Sequence, residues 1–248
     1  MKDYMLVICL LLMSSPTQAS SFYFVGTNFP AIVEQQKNGE ITGLGVDIAQ
    51  EIFKRLGHQL IIEVMPLKRA LKMVEQGVAD GMIGPYKSPE RELYMNYTDV
   101  AFYQDQIMFY VLQNSTLQWQ GHYSKLNKLV VGVIRGWNYG EQFEKNEANL
   151  NISAVNTVEA SFLQLLYNRV DVIVCHPRAA APVIEKLALE YKVRRVLPIL
   201  TVNKGYFGFT KKESLTEVFE QFDSELTKML VNGEIQYLSE SYGLNYHY

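Results

Sequence analysis

The side chains able to do chemistry are few and scattered in this sequence. Its four histidines, His58, His122, His176 and His247, stand singly, and only His176 has a second metal-ligating residue type beside it, Cys175. Neighbouring residues of an extended chain point to opposite faces, so this pair does not read as a metal site. Gly136-Trp137-Asn138-Tyr139-Gly140 has the spacing of a nucleophile elbow, but asparagine at its centre cannot attack an acyl group. Gly43-Leu44-Gly45 lacks the third glycine of a dinucleotide fingerprint, and there is no Gly-x-x-x-x-Gly-Lys-Ser/Thr phosphate loop. The expectation is therefore no catalytic residue, no metal and no cofactor. What remains is a small set of polar, aromatic and basic residues suited to binding. A planar guanidinium grips a carboxylate with two charge-assisted hydrogen bonds at once, and two arginines are candidates. Arg91 falls in the first turn of a short helix opened by Ser88 and Pro89. A cation there opposes the helix dipole, which favours ligand contact over a solvated surface role. Arg69 lies early in a helix whose buried face is Leu67, Ala70, Leu71 and Val74, so it points either into a cleft or into water.

These groups must be positioned by a repeated rhythm of strand and helix. Apolar spacing predicts strands over 22–26, 59–64 and 79–83, with helices over 45–56 and 67–76 closed by Gly57 and Gly77. The rhythm restarts with strands over 129–134, 152–155 and 170–174, and helices over 139–145, 158–167 and 178–189, the last preceded by Pro177 at a favoured first position. Between the two units, 109–120 has no helical period and suits a crossing segment. A strand over 206–209 and a long amphipathic helix over 214–231 finish the chain. Open α/β sheets bind ligands at the carboxyl ends of their strands, and that is where the candidate residues fall.

The segments Gly26-Thr27, Gly39-Glu40-Ile41-Thr42-Gly43-Leu44-Gly45-Val46-Asp47-Ile48, Gly77-Val78-Ala79-Asp80-Gly81 and Ser88-Pro89-Glu90-Arg91 resemble the extracellular solute-binding proteins of family 3. These are the amino-acid-type receptors of ABC importers. Gly132-Val133 to Gly136, Asn168-Arg169-Val170-Asp171 and Tyr206-Phe207-Gly208-Phe209-Thr210-Lys211 continue the resemblance in order, over nearly the whole chain after its first 19 residues. It implies an α/β fold of the periplasmic binding protein type II kind, with two α/β lobes joined by two hinge strands that close over a ligand. Lobe 1 would be 20–110 with 206–248, lobe 2 would be 114–203, and the hinge strands 111–113 and 204–205. The implied function is capture of a small carboxylate-bearing solute for a membrane permease, without a bond being broken. Arg91 matches the arginine that holds the ligand carboxylate, and Phe29 falls near the aromatic that covers the ligand; ordinary core packing is the alternative for Phe29. Trp137 and Tyr139 stand at the start of the first lobe 2 helix, where the family has a Ser or Thr donating to the ligand; an aromatic pair would stack on the ligand instead, hinge or surface packing being the alternative, and Asn138 between them is a further ligand candidate. Asn28 and His176 occupy the positions at which amino-acid receptors place acids for the ammonium, Tyr86 replaces a Ser or Thr, and Leu67 replaces an aromatic floor. The carboxylate half of the site is kept and the ammonium half is not, so an anionic ligand is expected. Arg69 or a protonated His176 would meet a second anionic group, and Glu34 or Asp105 is a candidate to restore ammonium binding. A dehydratase of the cyclohexadienyl type, with His176 as acid or base, and a sensory module serving a separate receptor chain are the rival readings.

Composition agrees with a globular chain of 248 residues, 48% hydrophobic and 20% charged, with two cysteines. Lys+Arg 23 against Asp+Glu 26 leaves no basic excess, so a nucleic-acid partner is not expected. A monomer is expected. Lys2, the short apolar run over 5–13, and small residues at Thr17 and Ala19 read as a cleavable export signal, segment 1–19. The expected location is the periplasm, where Cys175 has no internal disulfide partner. N-terminal sequencing of the exported protein is expected to begin at Ser20.

Overall fold

The computed structural model describes residues 19–244, so the expected export segment lies outside the described residues except for Ala19. No helix among the described residues is long and apolar enough to cross a membrane. The chain opens with β1 (Ser21–Gly26), the hairpin of β2 (Glu34–Gln35) and β3 (Ile41–Thr42), and α1 (Leu44–Arg55). Then come β4 (Gln59–Val64), α2 (Leu67–Glu75), β5 (Gly81–Tyr86), α3 (Pro89–Glu92) and β6 (Met95–Tyr97). The long strand β7 (Tyr103–Leu112) leads into β8 (Val130–Ile134), α4 (Glu141–Glu147), β9 (Asn151–Val155), α5 (Val158–Leu166), β10 (Val172–Cys175) and α6 (Pro177–Lys186). A second long strand, β11 (Val193–Thr210), returns to α7 (Thr216–Val231) and α8 (Glu234–Ser241).

One nine-stranded sheet runs in the order β4-β1-β5-β11-β7-β10-β8-β9, with β6 added to β11. Pairing is parallel within β4-β1-β5 and β10-β8-β9, and antiparallel wherever β7 or β11 takes part. Each parallel group is a separate α/β half, because its crossover helices cover both faces with their own apolar clusters. In the first half α1 buries Val46, Ile48, Ala49, Ile52 and Phe53 at helical spacing, and α7 buries Val218, Phe222, Leu226 and Met229. Their rings pack with Phe24, Phe207 and Phe209; Phe24 meets Phe209 edge to face at 4.9 Å. In the second half Phe109, Val111, Val131 and Val172 fill one face, and Met108, Tyr110, Ile173 and Phe162 the other. Alternation along β7 assigns its successive side chains to these two faces.

The two long strands carry the chain between halves. Tyr103 and Phe207 belong to the first core, whereas 107–111 and Val196 belong to the second. The changeover of buried side chains on β7 is therefore at 104–106, and Phe109 and Val111, at the start of the stretch expected as a crossing segment, are fully buried in the second half. On β11 the corresponding stretch is 202–204, paired with 104–106. The expected strand over 206–209 is only the end of β11. Gly205 lies against the Tyr103 ring so closely that a Cβ there would sit 1.8 Å from it. Gly205→Ala is expected to cost about 1–3 kcal/mol of stability by overpacking, read as a lower urea midpoint; an unchanged midpoint would show that Tyr103 can move aside.

Candidate functional site

The carboxyl ends of β1, β5, β8 and β10 converge where the long strands cross from one half to the other. A cavity of about 60 Å³ lies there, lined by Thr27, Asn28, Phe29, Leu67, Met82, Gly84, Pro85, Tyr86, Arg91, Trp137 and Asn138. That is several times the ~10–15 Å³ that one water requires. Six of the eight residues singled out from sequence are on its wall. The other two, Arg69 and His176, are not.

Arg91 is positioned by α3, whose first turn is capped by Ser88: its Oγ accepts from the Arg91 N–H at 3.3 Å, and Pro89 supplies the preset first residue. The side chain is 8% exposed. Its Nη1 donates to the Tyr86 carbonyl at 3.0 Å, and its Nη2 reaches across to the Gly136 carbonyl in the second half at 3.1 Å. Two of its five donors are thus spent on backbone carbonyls. Among the described residues no carboxylate lies within ion-pair distance of it. A buried guanidinium with neutral partners only is an arrangement that an anion would complete.

Tyr86 does different work from the hydroxyl it replaces in the resemblance. Its phenol donates to Asp105 Oδ2 at 2.6 Å, and burial holds its pKa well above the ordinary value. Asp105, 4% exposed on β7, also takes a two-pronged grip from Arg178 of α6: Nε to Oδ1 at 3.2 Å and Nη2 to Oδ2 at 2.5 Å. Arg178 Nη1 donates in addition to the Pro30 carbonyl of the first half. Its guanidinium carbon lies 4.0 Å from the centre of the Phe29 ring. Burial is the largest influence and works against its charge, but Asp105 together with the neighbouring Tyr103 and Tyr86 phenols outweighs it and raises the pKa above the usual arginine range. Asp105 is therefore engaged.

His176 directly follows β10 and caps α6, its Nδ1 accepting from the Ala179 N–H at 3.3 Å. The ring is fully buried, stacked on Trp137 at 5.0 Å and set edge-on to Phe29 at 5.0 Å. Asp105 Oδ1 lies 3.3 Å from the same Nδ1, which can serve only one of these neighbours at a time; Nε2 has no partner among the described residues. Burial dominates and brings the pKa down to about 3; Asp105 pushes it up and Arg178 pushes it down further. The expectation of a protonated His176 meeting an anion is corrected: a neutral imidazole packs behind the aromatic wall. The expectation for Arg69 is corrected too. The helix α2 turns Ala70 and Val74 inward, which leaves Arg69 exposed, where its charge acts on the Tyr23 phenol.

Asn28, exposed at the rim, accepts from the Gln35 N–H at 2.9 Å through Oδ1 and so holds its own loop. Asn138 Oδ1 accepts from the Gly140 N–H at 2.9 Å, and the Asn138 carbonyl accepts from Asn203 Nδ2 of the crossing strand at 2.8 Å. Sequence reasoning missed Arg178. The signal was present: it is the second residue of α6, a cation in a first turn, just as Arg91 is.

Because the folded imidazole stays neutral while the unfolded one titrates near 6.5, its contribution to stability is full above that pH and is lost as pH falls toward about 3. Between pH 7.5 and 5 the wild-type protein is expected to lose about 2 kcal/mol more unfolding free energy than His176→Asn, which retains a cap. Equal losses in urea titrations would show that His176 carries a proton in the fold.

Comparison with known proteins agrees with this architecture. Solved structures that share the fold include the following three. A mutant of ArgBP from T. maritima superposes with a TM-score of 0.73 at 22% identity, covering 89% of this chain and 94% of that one. A putative L-cystine ABC transporter protein from Listeria monocytogenes gives 0.71 at 24% identity, covering 91% and 96%. A histidine kinase sensor domain with similarity to periplasmic binding proteins gives 0.77 at 14% identity, covering 89% and 95%. No curated protein matches the sequence. Residues 23–245 match the family profile as one continuous stretch, and the chain belongs to the bacterial extracellular solute-binding proteins, family 3.

Proposed function

We propose that this protein captures a small, carboxylate-bearing solute in the cavity between its two halves and delivers it to the membrane permease of an ABC importer in the periplasm. The observation that carries the reading is Arg91: a buried guanidinium on the cavity wall, with two backbone carbonyls as partners and no carboxylate within ion-pair distance among the described residues. A planar fork with donors to spare suits a carboxylate, and the aromatic rings of Phe29, Tyr86 and Trp137 around it suit a compact organic body. The solute is an amino acid or a related organic acid. Closure would bend the chain at 104–106 and 202–204, where the strands leave one core and enter the other. The Arg91 to Gly136 hydrogen bond spans that cleft, so solute capture and closure would share one side chain.

Binding without chemistry fits the site better than elimination does. The candidate acid or base, His176, stands behind Phe29 and Trp137 rather than on the wall. A sensory role for a separate receptor chain uses the same capture step and differs only in the docking partner.

A thermal-shift panel of dicarboxylates and amino acids tests the reading. At least one carboxylate-bearing compound is expected to raise Tm in the wild-type protein. Arg91→Ala is expected to weaken its binding about 100-fold, in line with truncating one partner of a buried charge pair. Unchanged affinity in the variant, or stabilisation by uncharged compounds alone, would overturn the assignment of Arg91.

A further inference from the structure

We infer that Arg178 is the protein's own occupant of the cation position beside the cavity, and that it makes the site reject solutes carrying an ammonium or guanidinium group. The inference rests on the reading of the cavity as a solute site and narrows the solute to anions without a cationic group of their own.

A buried organic cation needs an anion and is favoured by an aromatic face, since desolvating the charge alone costs several kcal/mol. Asp105 is the one buried carboxylate among the described residues. Its two oxygens receive three donors, two from Arg178 and one from Tyr86. The aromatic face is Phe29, over which the Arg178 guanidinium lies at 4.0 Å. Both Phe29 and Tyr86 also line the cavity, so the internal cation and the solute share walls. Asn28 and His176 offer no replacement charge: one bonds its own loop and the other is held neutral by burial. Every element of a cation site is present, and a side chain of the second half fills it. The pair Asp105–Arg178 is neutral as a unit, which leaves Arg91 as the charge that a solute meets.

Methylguanidinium is the probe, at low millimolar concentration, with Tm and calorimetric titration as readouts. The wild-type protein is expected to show no response. Arg178→Ala opens the position and is expected to bind methylguanidinium at least about tenfold more tightly than wild type does. The double variant D105N/R178A, with neither charge, is expected to lose that gain. A folded Arg178→Ala that gains no binding, or a wild-type protein that binds the probe equally well, overturns the inference. A measurement on the wild type needs no variant: L-lysine and L-arginine are expected to leave its Tm unchanged, and a rise with either overturns the inference as well. Failure of every carboxylate to bind the wild type would instead refute the proposed function, while the methylguanidinium results would stand.

Discussion

The antiparallel ladder between β7 and β11 is the constraint on which the rest of the molecule depends. Its register runs from Val193 opposite Leu112 to Gly205 opposite Tyr103, interrupted between Val196 and Thr201. Both parallel strand groups hang from it, β5 on one side and β10 on the other. Because the ladder is shared, the strand ends of the two halves are brought face to face at the point where the buried side chains change from one core to the other. At that point the ladder also carries polar residues. Asp105 and Asn203 are opposed there and both are buried, each tied to a residue of the second half. Asp105 accepts in addition from Tyr86 of the first half, so polar contacts from both halves meet on its carboxylate.

Charge is partitioned around that crossing in a simple way. Two arginines reach across the cleft in opposite directions, Arg91 from the first half to the Gly136 carbonyl and Arg178 from the second to the Pro30 carbonyl. Arg178 pairs with the Asp105 carboxylate, whereas among the described residues Arg91 has none within ion-pair distance. Taking a charge out of water is costly, and the Asp105 carboxylate offsets that cost for Arg178. The same low-polarity surroundings act on the neighbouring groups, bringing the His176 imidazole down to about 3 and the Cys175 thiol up to about 12, so both stay neutral. The result is a wall on which the Arg91 guanidinium has no carboxylate within ion-pair distance among the described residues.

Helices were legible wherever one face is apolar and the other wet. The spacing of Val46, Ile48, Ala49, Ile52 and Phe53 specified α1 to within a residue at either end, and that of Val218, Phe222, Leu226 and Met229 specified most of α7. The long strands were less legible for opposite reasons. The middle of β7 is buried on both faces, so it shows no alternation, and the start of β11 carries Arg194, Arg195 and Pro198, which mask a strand. Short α8 follows Gly233, whose left-handed backbone ends α7 and starts a new helix that the expected helix over 214–231 did not include. The cavity wall was legible because strand ends in this kind of fold converge. What a side chain does there was not. The direction of Arg69 depends on the rotation of α2, the protonation of His176 on its burial, and the role of Arg178 on Asp105, 73 residues away in the chain.

The chain has two tryptophans, and the fold gives them unequal optical surroundings. Trp119 is packed inside the second half, edge-on to Phe109 at 4.9 Å and to Tyr123 at 5.1 Å, both residues of that half. Trp137 belongs to the same half, yet its indole stacks on His176 and meets Phe29 of the first half at a right angle, 5.9 Å away. Any separation of the halves removes the Phe29 contact and wets the Trp137 ring, while Trp119 emits as before. The protein thus carries a reporter and an internal reference in one spectrum, and opening of the cleft can be followed by its intrinsic fluorescence without attaching a dye.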